Sequence, residues 1–225
     1  MNRLFILIYL LAAGVPAFAS SLRVLPWNQE ISERKLAIGY GKEVTEVGYM
    51  HPAARSAPIK VPAGAESLRL IATDRKNADG SPATVPLVIS SEIKMPLLLV
   101  IPDEKSISGV RVIVIEDDQQ SFNWGTIRLI NVTPKPLAFR WENEARVVPS
   151  GWKPVDVSPG GKSRNMGVLI YLKDDLKKPL YTAVWEHRED MRQLVFMIPN
   201  PDQSLGAVAF KFIPETRIAA EGGAE

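Results

Sequence analysis

The chain has 225 residues, 27 Lys and Arg against 25 Asp and Glu, and no cysteine. A net charge of +2 with interspersed signs leaves no electrostatic footprint for nucleic acid. The lack of cysteine excludes disulfides, a lipidated N-terminal Cys and any Cys-based metal centre, so stability must come from an apolar core.

Residues 1–19 read as a secretory signal. Arg3 is the basic start, Leu4 to Val15 the apolar run, and Ala17-Phe18-Ala19 a small-x-small cleavage site before Ser20. The apolar run is shorter than the roughly 20 residues that span a bilayer, and no later run is long and uncharged enough to span. The mature chain is therefore expected to be soluble, without a membrane span, and periplasmic or secreted. Export without cysteine points to a bacterial envelope.

Ser20 to Arg34 is poorly patterned and reads as an N-terminal arm. Strand signals follow at 35–40, 44–49, 59–61, 68–73, 85–90, 95–101 and 110–116, separated by turn clusters such as Pro62-Ala63-Gly64 and Asn77 to Pro82. Asp117 to Asn123 is polar and marks a boundary. Strand signals resume at 126–132, 137–142, 146–148, 154–157, 168–172, 180–185, 193–198 and 207–213. Short β-rich runs punctuated by Gly and Pro predict sandwiches, and 18 prolines argue against a long helix. The 95–101 run is apolar on both faces, as a central strand is.

One block occurs twice. Leu97 to Pro102, then Gly109, is matched 97 positions later by Leu194 to Pro199, then Gly206. Pro62 and Gly64 meet Pro159 and Gly161 at the same offset. The expected fold is all-β: two tandem immunoglobulin-like β-sandwich domains from an internal duplication. The first covers 20–118, the second 119–216, and 217–225 is a flexible tail.

Constellations that carry chemistry are sparse. Of the two histidines, His51 precedes Pro52 in a turn. His187 lies in Glu186-His187-Arg188-Glu189-Asp190, which reads as a solvated hairpin loop; the competing reading is a hydrolase using Glu186, His187 and Asp190. One histidine in one loop falls short of a usual metal site. Asp117-Asp118 and Asp174-Asp175 read as soluble turns, because adjacent residues of an extended chain face opposite ways. Gly160-Gly161-Lys162-Ser163 lacks the upstream glycine of a phosphate loop, since that position is Asp156, and reads as a hairpin turn. Gly39-Tyr40-Gly41 is isolated. Asn131-Val132-Thr133 is a glycosylation sequon that matters only in a eukaryotic secretory pathway. No catalytic, metal or cofactor residue is assigned.

Of the five tryptophans, Trp27 falls in the first half and Trp124, Trp141, Trp152 and Trp185 in the second. Such rings fill a sandwich core, anchor an interface, or stack on sugars. Trp141 alternates with Phe139 and belongs to a core; Trp152 follows Ser150-Gly151 and is the expected exposed ring. Trp152 and Trp185 are the candidate binding residues.

Gly125 to Thr133, followed by Leu137-Ala138-Phe139 and the Pro159 turn, resembles a group of uncharacterised bacterial exported immunoglobulin-like β-sandwich domains. Their pattern is an Arg-x-x-Asn strand, here Arg128 to Asn131, and a Pro-x-Gly hairpin. The likeness covers the second half; the first half lacks the Arg-x-x-Asn element. It implies a sandwich and an envelope role, and no chemistry. A more distant likeness, in length and two-part build, is to periplasmic pilus chaperones. The expected function is non-catalytic: a structural or protein-binding role in the cell envelope with an envelope protein partner. The alternatives are a carbohydrate-binding module and a strand-donating chaperone.

Overall fold

The structure is a computed structural model that describes residues 20–62, 67–202 and 206–222. The export signal expected over 1–19, Gly64 of the first Pro-x-Gly turn and residues 223–225 of the tail lie outside it.

The first half contains β1 (Ser20–Pro26), α1 (Gln29–Ser32), β2 (Leu36–Tyr40), β3 (Glu43–Glu46), β4 (Ile59–Val61), β5 (Arg69–Lys76), β6 (Pro82–Pro86), β7 (Pro96–Pro102) and β8 (Val110–Glu116). The second contains β9 (Ile127–Asn131), β10 (Leu137–Trp141), β11 (Glu144–Val148), β12 (Pro154–Val157), β13 (Arg164–Leu172), β14 (Tyr181–His187), β15 (Met191–Pro199), β16 (Val208–Thr216) and α2 (Arg217–Gly222). They form four sheets of four strands: β4-β1-β7-β8 and β3-β2-β5-β6, then β12-β9-β15-β16 and β11-β10-β13-β14. The fold is all-β, with two β-sandwich halves in tandem.

The halves correspond strand by strand. β1 runs parallel to β7, as β9 does to β15; all other pairs are antiparallel. Leu25 lies opposite Leu99, and Ile130 opposite Phe196. The repeated block therefore occupies equivalent strands. Its last strand slips by one residue: Ile101 pairs with Arg111, whereas Ile198 pairs with Ala209. Gly109 (φ 71°) and Gly206 (φ 107°) both precede that strand in backbone that favours glycine.

Strand alternation builds three cores from these sheets. Leu98 and Val100 of β7 face the core of the first half, with Leu22, Val24, Ile38 and Leu70. Val195 and Met197 of β15 face the core of the second, with Leu129, Phe139, Val168 and Trp185. The intervening residues point the other way. Leu97, Leu99 and Ile101 join Leu194, Phe196, Ile130 and Ile213 in a third core between the halves. The molecule is thus a four-layer stack in which equivalent sheets pack back to back. β7 and β15 are apolar on both faces because each is buried on both faces.

Four expectations are corrected. Ser20 to Arg34 is no arm: β1 is an inner strand, and α1 follows it, with the Asn28 side chain accepting from the Ile31 amide at 3.1 Å. The pattern was obscured because Val24 and Leu25, adjacent in sequence, enter two different cores. The strand expected at 85–90 is β6, at Pro82–Pro86; a proline can open or close an edge strand, where no partner needs its amide. The Pro159-Gly160-Gly161 turn is no hairpin, since it carries the chain from β12 in one sheet to β13 in the facing one. Residues 217–222 of the expected flexible tail form α2.

Candidate functional site

The densest set of charged side chains lies where the halves meet. Arg55 grips Asp117 with both arms, Nε to Oδ2 at 2.7 Å and Nη2 to Oδ1 at 2.8 Å. Arg192 binds Glu215 Oε2 through Nε at 2.6 Å and donates Nη1 to the Asp117 carbonyl at 2.8 Å. Arg23 reaches across from β1 to Glu215 Oε1 at 2.5 Å. Arg55 and Asp117 are almost wholly buried; Arg23 is 20% exposed. Burial alone would raise the Glu215 pKa, but Arg55, Arg192 and Arg23 overcome it and hold the carboxyl below its ordinary range. Burial likewise opposes the Arg55 charge, and Asp117 together with Glu215 more than restores it.

Three guanidiniums face two carboxylates. Arg23 Nε and Arg55 Nη1 have no hydrogen-bond partner, and both atoms are buried. The network is cohesive: five ion pairs of 3.7 Å or less link its members. It ties β1, the loop at Arg55, the linker at Asp117 and the β15–β16 hairpin together. Asp117 was expected in a soluble turn; its two arginine neighbours, Arg55 and Arg192, come from distant parts of the chain, and no local spacing announces them. Phe122 lies between two guanidiniums, 4.5 Å from Arg128 and 5.1 Å from Arg192.

The candidate binding residue Trp152 lies at the other side of this junction. It is half-buried and meets Trp27 edge-on at 5.9 Å and Phe196 at 6.4 Å. Its φ of 72° is a left-handed conformation rare for a side chain of this size. The Asn131 carbonyl accepts from the Gly151 and Trp152 amides there. Arg111 lies 5.7 Å from the Trp152 ring, and Lys211 lies 5.8 Å from that of Trp27. Lys211 also donates to the Pro52 carbonyl, and burial lowers its pKa.

Trp185, the other candidate, is 6% exposed in the core of the second half, against Phe139, Phe210 and Phe212. The structure does not bring Trp152 and Trp185 together: they belong to different cores. The central core fills the space between the facing sheets of the two halves.

His187 differs from its expected solvated loop. It ends β14, is 2% exposed, and its Nε2 has no partner. Glu186 points to the opposite face, and Asp190 is held by Arg188 at 2.7 Å, so these three do not converge. Among the described residues, no group of three or more His, Asp or Glu could hold a metal ion. None of their helices is long and apolar enough to cross a membrane.

The Arg-x-x-Asn element is structural. Arg128 pairs with Asp156 at 2.7 Å and donates to the Glu116 and Ser121 carbonyls. Asn131 is buried, so the sequon is inaccessible; its amide bridges the Lys135 and Val148 carbonyls, and its oxygen accepts from Thr133. The first half holds the same arginine position after all. Arg23 lies opposite Leu97 as Arg128 lies opposite Leu194, with Pro26 in the place of Asn131. A single sequence offset misses this, because the connections between matched strands differ in length, the first β1–β2 connection, which holds α1, among them.

Two clefts flank the loop at Arg55. One of about 560 Å³ is bordered by Tyr49, His51 and Lys60, the other of about 390 Å³ by Arg23, Glu215 and Thr216. A third, of about 450 Å³, lies on the outer face of the β11-β10-β13-β14 sheet between Arg140, Val147, Tyr171 and Leu176. No protein-family model matches this chain, and no curated protein is significantly similar to it.

Proposed function

We propose that this is an exported, non-catalytic protein of the cell envelope with a structural or protein-binding role. The observation that supports it is the joint. A third apolar core and a buried arginine–carboxylate network lock two sandwiches back to back. Such a body is a rigid display frame, and an all-β frame of this kind works through its loops and sheet edges. The candidate catalytic set at Glu186, His187 and Asp190 is split between two faces and an ion pair, which favours a non-enzymatic role. The strand-by-strand correspondence supports descent of both halves from one duplicated immunoglobulin-like sandwich.

Cell fractionation with N-terminal sequencing tests the export half of this reading. An envelope-located chain beginning near Ser20 is expected; a cytoplasmic chain with Met1 intact overturns it. A photo-crosslinker at Val147, on the outer face of the β11-β10-β13-β14 sheet, tests the binding half. A defined envelope protein crosslinked there, and not from Thr84 of the first half, is expected.

A further inference from the structure

The eight edge strands are not equally defended. An edge exposes unpaired N–H and C=O groups, and proteins protect it with proline, charge, brevity or a bulge. β6 begins and ends with proline, and its pairing with β5 is irregular between Ala72 and Lys76. β12 opens with Pro154; β16 carries Lys211 and Pro214. β4 has three residues with a central Lys60. β3 carries Glu43 and Glu46, and β11 carries Glu144 and Arg146. β8 carries Arg111 and exposes no apolar side chain.

β14 is defended only near its end, by Glu186. From Tyr181 to Trp185 it has neither charge nor proline, and its register with β13 is unbroken. Its inner face is sealed, with Trp185 Nε1 donating to the Tyr181 hydroxyl at 3.2 Å. At its centre Val184 points outward, 67% exposed. The charges lie at its ends and differ in sign. Exposed Lys177 and Lys178 precede the strand, and exposed Glu186 and Glu189 end it. Asp190 is neutralised by Arg188. The turn before the strand also holds Lys173, Asp174 and Asp175, leaving a net positive end.

We propose that β14 is a pairing edge for β14 of a second copy, antiparallel and centred on Val184. An antiparallel pair with Val184 opposite its own copy sets Thr182 opposite Glu186 and brings the lysine end of each strand to the glutamate end of the other. The edge is thus complementary in charge to itself, and two four-stranded sheets become one of eight. The pairing rests on the protein-binding reading above, and its measurement is independent of where the protein resides.

Sedimentation of the purified chain over a range of concentrations tests it. A dimer is expected for the natural chain. Val184→Lys, which sets two like charges opposite each other at an exposed position, weakens the dimer about tenfold or more. Lys177→Glu/Lys178→Glu and Glu186→Lys/Glu189→Lys each weaken self-association, and a mixture of the two forms a heterodimer. Unchanged circular dichroism confirms that each variant folds. A chain that stays monomeric at every concentration, as an edge reserved for another protein's strand would leave it, overturns the proposal. So does a dimer that Val184→Lys leaves intact.

Discussion

Arg23 in β1 and Glu215 in β16 meet at 2.5 Å across the joint of the two halves, although 192 positions of chain separate them. Glu215 also receives Arg192 and lies 3.7 Å from Arg55, so one carboxylate serves three guanidiniums. Removing it leaves three buried or half-buried cations with Asp117 alone. Glu215→Gln is expected to destabilise the chain by about 3–5 kcal/mol, the usual cost of an uncompensated buried charge. Arg23→Gln removes one partly exposed donor and costs about 1 kcal/mol. Urea unfolding of both variants checks the order; an equal loss from the two would contradict it.

Stability should fall in acid through the same residue. The folded pKa of Glu215 is depressed, so its contribution is present in full above the unfolded carboxylate value. It is lost as pH falls through the folded one. Thermal melts from neutral pH down past the carboxylate range are expected to show this acid limb. In Glu215→Gln its slope is shallower; an identical slope would refute the assignment.

Trp152 closes the aromatic joint from a strained backbone. Trp152→Ala is expected to cost about 3 kcal/mol through lost packing on Trp27 and Phe196. No tryptophan is fully exposed, so iodide should quench the folded protein weakly and the unfolded one strongly. Strong quenching of the native chain that vanishes in Trp152→Phe would show the ring outside the joint.

Asn131→Ala should be costly for so small a change. Its amide satisfies the Lys135 and Val148 carbonyls, and its oxygen takes both Thr133 donors. Leaving these buried groups unpaired costs about 2–3 kcal/mol. Chemical unfolding measures it, with exposed Asn143→Ala as a near-neutral control.

The sequence by itself determined the fold class and most strands. Turn chemistry and apolar runs are local, so Ile59–Val61, Val110–Glu116 and Pro154–Val157 coincide with the expected limits. The Ile-Pro repeat also pointed to equivalent strands, because burial on two faces leaves an unbroken apolar run in each copy. Tertiary structure alone decided what the second faces of β7 and β15 bury: each other's half, not separate surfaces. It also drew Asp117 and His187 inside, where the charge-dense runs around them read as solvent-facing. Only the three-dimensional path gathers Arg23, Arg55 and Arg192 about two carboxylates, since the attraction acts through space and leaves no spacing in the chain. The candidate site was legible only in part for the same reason. Trp152 was visible as an unusual ring after a glycine, but whether it faced solvent or a partner sheet depended on how the two halves pack.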